Sequence, residues 1–175
     1  MNKHPLRPGT ILAALALTTA AAPAFAQSSG AVPVTAVVNA QCAVVSTSQV
    51  NFGALNVLGD TGSPTNAQGS VTIRCNKGAA AAITASSAGG SGETKRMLNG
   101  SDALVYNILR PTGDSLDACP PSAGTELGTT PFSIAGLWAS AGGPQTIPIC
   151  GRIDPAQPGV AAGTYSDTVM VTVTY

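Results

Sequence analysis

Residues Tyr165 to Tyr175 alternate with a period of two. Tyr165, Asp167, Val169, Val171, Val173 and Tyr175 share one side, and Ser166, Thr168, Met170, Thr172 and Thr174 the other. This is the pattern of a β-strand with one face turned to a core. A strand cannot stand alone, because its N–H and C=O groups point out along both edges and each edge needs a partner. A regular strand at the end of the sequence therefore raises the question of what pairs with its free edge.

The rest of the chain reads the same way. Short β-like runs cover Ala31 to Ser46, Gly69 to Cys75, Ala80 to Ser87, Lys95 to Asn99, Ala103 to Leu109, Phe132 to Trp138, Thr146 to Ile153 and Gly163 to Tyr175. Between them lie clusters of Gly, Pro, Ser and Asn, with loops expected at Leu58 to Gln68, Gly89 to Glu93 and Pro111 to Thr130. The alanines of Ala79 to Ala82 are too few for a helix beside Gly78 and the β-branched Ile83 and Thr84. Many short strands at this spacing make an all-β sandwich or barrel.

The first 26 residues are expected to be a secretory signal peptide. Lys3 and Arg7 precede the apolar run Ile11 to Ala22, and Ala24-Phe25-Ala26 gives a small-x-small cleavage site. The run is too short for a membrane span and is closed by Pro23. Removing 26 residues from 175 leaves 149, enough for one domain with a single core. Lys3, Arg7 and the only histidine, His4, leave with the signal. Six basic residues then stand against eight acidic ones, a formal charge of −2. With no basic cluster, the electrostatic footprint of a nucleic-acid binder is missing.

Four cysteines in an exported chain point to disulfides in an oxidising compartment. Cys42, Cys75, Cys119 and Cys150 allow three connectivities. Strand parity narrows the choice. Cys42 falls on one side with Val38, Ala40 and Val44, and Cys75 with Val71 and Ile73, so both are expected to point inward. A bridge between them leaves Cys119 with Cys150. No CxxC pair or surviving histidine calls for a metal, and no motif calls for a cofactor.

Catalytic patterns are weak. Asp60-Thr61-Gly62-Ser63 has the letters of an aspartic-protease motif, but Gly59 precedes it and Pro64 follows, so a turn is the better reading. A serine hydrolase lacks its histidine base. Asp154 and Asp167 are the candidate carboxylates for a glycosidase; Asp154-Pro155 opens a turn and Asp167 belongs to the terminal strand. Trp138, Tyr106, Tyr165 and Tyr175 each sit inside apolar patterns, which fits core packing better than a sugar-binding face. The protein is therefore expected not to be an enzyme.

An ordered set of pieces resembles a known family: VVNAQCAV (Val37 to Val44), VNFGAL (Val50 to Leu55), GSVTIRC (Gly69 to Cys75), KRMLNG (Lys95 to Gly100), LVYNI (Leu104 to Ile108), CGRID (Cys150 to Asp154) and the terminal AGTYSDTVMVTVTY. Together they are similar to the spore coat protein U domain, a family that includes pilin subunits of archaic chaperone-usher fimbriae. One departure is Cys119 within Pro111 to Thr130, where the family often has a Trp-Gly-Asp-Gly-like turn. Another is Cys150, where an aromatic is commoner. The paired change implies a second disulfide.

The resemblance implies an immunoglobulin-like sandwich lacking its last strand, completed by a strand donated from a neighbour. On that basis residues 27–36 form a donor extension, with Val32, Val34 and Ala36 as its apolar knobs, and residues 37–175 form the pilin domain. The acceptor groove runs along Val169, Val171, Val173 and Tyr175. The implied partners are neighbouring subunits, a periplasmic chaperone and an outer-membrane usher. The subunit would pass through the periplasm to a surface fimbria that supports adhesion and biofilm formation. The alternative is a self-complete secreted sandwich acting as a matrix or carbohydrate-binding protein.

Overall fold

The computed structural model describes residues 25–56, 63–113, 116–120, 124–155 and 157–175, which fall in two units, 1–37 and 38–175. In the first unit, residues 25–37 are exposed and form neither strand nor helix. The expected signal peptide lies outside the described residues, apart from Phe25 and Ala26.

The second unit is all-β. Its strands are β1 (Cys42–Ser48), β2 (Thr65–Cys75), β3 (Ala82–Ser87), β4 (Lys95–Asn99), β5 (Asp102–Leu109), β6 (Phe132–Ser133), β7 (Gly143–Ile153) and β8 (Val169–Thr174), with one 3-10 turn at Ala135–Trp138. A five-stranded sheet has the order β1-β2-β7-β5-β4 and a three-stranded sheet the order β6-β3-β8, with antiparallel pairing throughout. The inward side chains of both sheets share one core. Val71 and Ile73 of β2, Ile147, Ile149 and Ile153 of β7, and Tyr106 and Ile108 of β5 meet Ile83 and Ala85 of β3 and the ring of Trp138. Ser70, Thr72 and Arg74 take the other face of β2, as the period of two requires.

Four expected strands begin later or end sooner than their sequence patterns, Ala80 to Ser87 by only two residues. The run Ala31 to Ser46 is strand only from Cys42, where pairing with Cys75 begins. Just upstream, the side chain of Asn76 takes the place of a ladder. Its Oδ1 accepts from the Gln41 amide at 2.8 Å, and its Nδ2 donates to the Asn39 carbonyl at 2.9 Å. Phe132 to Trp138 is strand for two residues and then turns, with Trp138 Nε1 donating to the Gly143 carbonyl at 2.8 Å. A single 3-10 turn buries Trp138 as well as a strand would, so apolar content alone does not separate the two. Gly163 to Tyr175 is strand only from Val169, because the chain changes sheets just before that point.

The cysteines are joined Cys42–Cys75 and Cys119–Cys150. The first pair sits directly opposite in the β1–β2 ladder, with Cα atoms 4.2 Å apart. Cys75 is buried and Cys42 half-buried, but Val38 and Val44 on the expected inward side are exposed, since β1 is the edge strand of its sheet. The second pair lies on the other side of its strand. Ile147, Ile149 and Ile153 of β7 face the core, and Cys150 points the opposite way to tie the loop carrying Cys119 over the outer face. That loop also doubles back onto β5, with the Leu127 amide donating to the Ile108 carbonyl at 2.7 Å and the Arg110 amide to the Thr125 carbonyl at 2.8 Å.

The Cys42–Cys75 bridge closes 33 residues of sequence separation. In the chain-entropy account such a link stabilises by roughly 3 to 4 kcal/mol. Replacing both cysteines with serine should lower the unfolding free energy of the full chain by that amount in urea denaturation. An unchanged midpoint and slope would contradict the assignment of β1 as a strand held by this bridge.

Candidate functional site

β8 hydrogen-bonds to β3 through six consecutive pairs, from Ser87 with Val169 to Ala82 with Thr174. Among the described residues nothing pairs with its other edge. Val169, Val171 and Val173 are half-buried and pack against the core, while Met170, Thr172 and Thr174 face outward. β1 is likewise an edge, bonded only to β2. β1 and β8 approach within 8 Å, Cα to Cα, yet share no ladder. Among the described residues the flank of the sandwich is thus a furrow between two unpaired strand edges, and Val44 of β1 is 46% exposed.

Beyond β1 the chain turns inward over two glycines. A Cβ on Gly69 would lie 2.6 Å from the Ser48 carbonyl oxygen, and one on Gly151 would lie 2.6 Å from both Phe52 and Val50. Only glycine lets residues 48–52 cross β2 and β7 so closely. An Asx turn follows, in which Asn51 Oδ1 accepts from the amide of Gly53, itself at φ +67°. The turn directs Phe52 into the interior, where its ring meets Tyr106 edge-on at 6.1 Å. Opposite this segment runs the chain leading into β8. Between them opens a cleft of about 720 Å³, lined by Val50, Phe52, Leu55, Met97, Val160 and Tyr165 among others, and no charged side chain among the described residues lines it.

The approach to β8 contains a corner. Ser166 exchanges backbone hydrogen bonds with Leu98 of β4, at 2.9 and 3.2 Å, while Val169 pairs with Ser87 of β3. Two residues carry the chain from one sheet to the other, and Asp167 fills the gap. Its carboxylate accepts from Ser87 Oγ and Tyr106 Oη, each at 2.5 Å, from the Gly89 amide at 3.0 Å and from the Thr168 amide at 2.8 Å. Partial burial pushes the Asp167 pKa up, but the hydrogen bonds from Ser87, Tyr106 and the two amides outweigh it and leave the pKa below the ordinary carboxylate value. Burial, reinforced by the negative partner, raises Tyr106 well above the ordinary phenol.

The expected site residues fall as follows. Val32, Val34 and Ala36 lie in the exposed first unit, the two valines 83% and 91% exposed. Val169, Val171 and Val173 line the furrow. Tyr175 is 59% exposed past the end of β8, which corrects the expectation that it packs in a core; no ladder holds it to the sheet. Trp138 and Tyr106 are buried and Tyr165 packs against the core. Of the catalytic candidates, Asp154 pairs with Arg152 at 2.8 Å and Asp167 is occupied as described. Asp60, Thr61 and Gly62 lie outside the described residues. Sequence reasoning missed the cleft, although the Asn-Phe-Gly turn that builds one of its walls was visible as a motif.

The Spore Coat Protein U domain model matches residues 28–172, nearly the whole of the described chain. The chain belongs to that family. Among solved structures, this Spore Coat Protein U domain is similar to a chain in the CsuC–CsuE chaperone–tip adhesion subunit pre-assembly complex of the archaic chaperone-usher Csu pili of Acinetobacter baumannii, at 24% identity and a TM-score of 0.50. The match covers 79% of this chain and 40% of that one, so this chain spans well under half of its solved relative. Comparison with curated proteins gives no match.

The glycine crossing generates a direct test. Gly151→Ala forces Phe52 and Val50 away from β7 and should cost about 1 to 3 kcal/mol, the usual range for overpacking. Urea denaturation reads the loss, and a variant as stable as the parent would show that residues 49–56 do not hold this position.

Proposed function

We propose that this Spore Coat Protein U domain is a non-enzymatic structural subunit of a surface fimbria, polymerised by strand donation through the chaperone-usher pathway. One observation carries the reading: the second edge of β8 is unpaired, and its three valines are only half covered. An added strand would supply the missing backbone partners and complete the smaller sheet. The structural relative is a chain of a chaperone–tip adhesion subunit complex from chaperone-usher pili, which supports a periplasmic chaperone as a partner here, followed in this account by an outer-membrane usher.

Residues 27–36 are the donor in this account, followed by a pilin domain from residue 37. The segment Gln27 to Gln41 carries no charge, which suits a furrow walled by valines, and Val32, Val34 and Ala36 fall at alternate positions. Each valine fully buried contributes roughly 1.5 to 3 kcal/mol before the cost of ordering the segment. Pro33 donates no ladder bond but resists helix, and it is tolerated where its nitrogen faces away from the partner strand. Val169, Val171 and Val173 receive the donor, with Tyr175 at the end of the groove. The two disulfides fit an exported chain that passes through the periplasm to the cell surface. There the fibre would support adhesion and biofilm formation.

Two variants test the reading. Val171→Asp places a carboxylate in the furrow and should leave export intact while abolishing polymers. Deleting Gln27 to Ala36 should do the same from the donor side. On unboiled denaturing gels the parent should give a ladder that collapses to monomer on boiling, and both variants only monomer. A full ladder from either variant would refute the corresponding half of the account.

A further inference from the structure

Asp167 makes four hydrogen bonds and none of them belongs to a regular ladder. They tie the end of β3 (Ser87), the loop after it (Gly89), β5 of the opposite sheet (Tyr106) and the residue just before β8 (Thr168) to one carboxylate. The Ala88 amide adds a bond to the Thr168 carbonyl at 3.1 Å, and the Arg96 amide reaches Ser87 Oγ at 3.4 Å. The cluster sits where the chain leaves β4 and joins β3, so it holds the first residue pair of β8, Ser87 with Val169.

That first pair decides what the furrow presents. A slip of one residue along β3 would turn Val169, Val171 and Val173 outward and bring Met170, Thr172 and Thr174 to the core. β8 has a ladder on one side only, so its register receives half the ladder support of a central strand. Resting on the strand-donation reading above, we propose that Asp167 is the positioning residue of the acceptor strand: it fixes the register of β8 against β3 and thereby keeps the valine face ready for the incoming strand.

The charged form of Asp167 does this work, since it accepts every one of the four bonds. Ser87, Tyr106 and the amides of Gly89 and Thr168 are the groups that face it. The one ion pair among the described residues, Arg152 with Asp154, does not involve it. Because the folded pKa lies below the ordinary 3.8, the contribution is complete above that value and is lost as the pH falls through the lower, folded one. Tyr106 must keep its proton, which it does to above its ordinary 10.0.

The test uses the full exported chain with Asp167→Asn, Asp167→Ala and Asp167→Glu, read by the unboiled ladder as a function of pH. At neutral pH, Asp167→Ala should reduce polymer at least tenfold, Asp167→Asn should reduce it less, and Asp167→Glu should recover part of it. The parent ladder should fall away in the acid window below 3.8. Asp167→Asn should lose that acid step, which a merely structural loss would not produce. An unaltered ladder and acid midpoint in Asp167→Asn would overturn the proposal. If the parent itself forms no ladder, strand donation fails as a reading, and the register claim is read by hydrogen exchange on the monomer. There Asp167→Ala should speed exchange of the β8 amides at least tenfold relative to those of β2 and β7, and equal rates would overturn it.

Discussion

The second edge of β8, which has no partner among the described residues, is the constraint on which the rest of this fold depends. Backbone N–H and C=O groups next to a core must be paired, because leaving one without a partner costs about 1 to 3 kcal/mol. β8 offers a row of them beside three half-buried valines. An edge of this kind is an aggregation hazard unless a defined strand occupies it. In the account proposed here, the same features make it the docking site for a donated strand once register and shape are fixed.

The remaining elements act to fix them. The Cys42–Cys75 bridge clips β1 to β2 at one wall of the furrow. Gly69 and Gly151 let residues 48–52 cross the larger sheet, so that Phe52 packs edge-on against Tyr106. Trp138 and the isoleucines of β7 form the buried centre of the core, against which Val169, Val171 and Val173 pack. Lys95, fully buried and donating to the Glu93 carbonyl at 3.2 Å, anchors the start of β4, the strand against which the corner at Ser166 is built. The wall carrying β8 is therefore held from the opposite side by β3, β4 and Asp167 together.

Much of this was legible in the sequence where the period of two reports burial directly. Val71, Ile73 and Cys75 alternate with polar residues and do face the core, and Lys95–Asn99 forms a strand with the bounds its pattern gives. The reading failed where something other than burial sets the backbone. Val38 and Val44 look like inward positions but flank an edge strand with an open side. Phe132 to Trp138 turns after two strand residues, and a 3-10 turn at Ala135–Trp138 buries Trp138. Asp167 interrupts an apolar pattern for a reason no pattern encodes, since its four partners lie at Ser87, Gly89, Tyr106 and Thr168. The cleft was hidden for the same reason, as its walls come from segments about a hundred residues apart.

The most direct measurement mixes two isotopic populations of the chain before assembly, one carbon-13 labelled and the other nitrogen-15 labelled, and records solid-state NMR contacts between them. If strand donation is correct, carbons of Val32, Val34 and Ala36 in one copy will lie next to amides of Val169, Val171 and Val173 in another. If those amides show contacts only to their own chain, β8 is completed from within, and the protein is not a polymerising subunit of this kind.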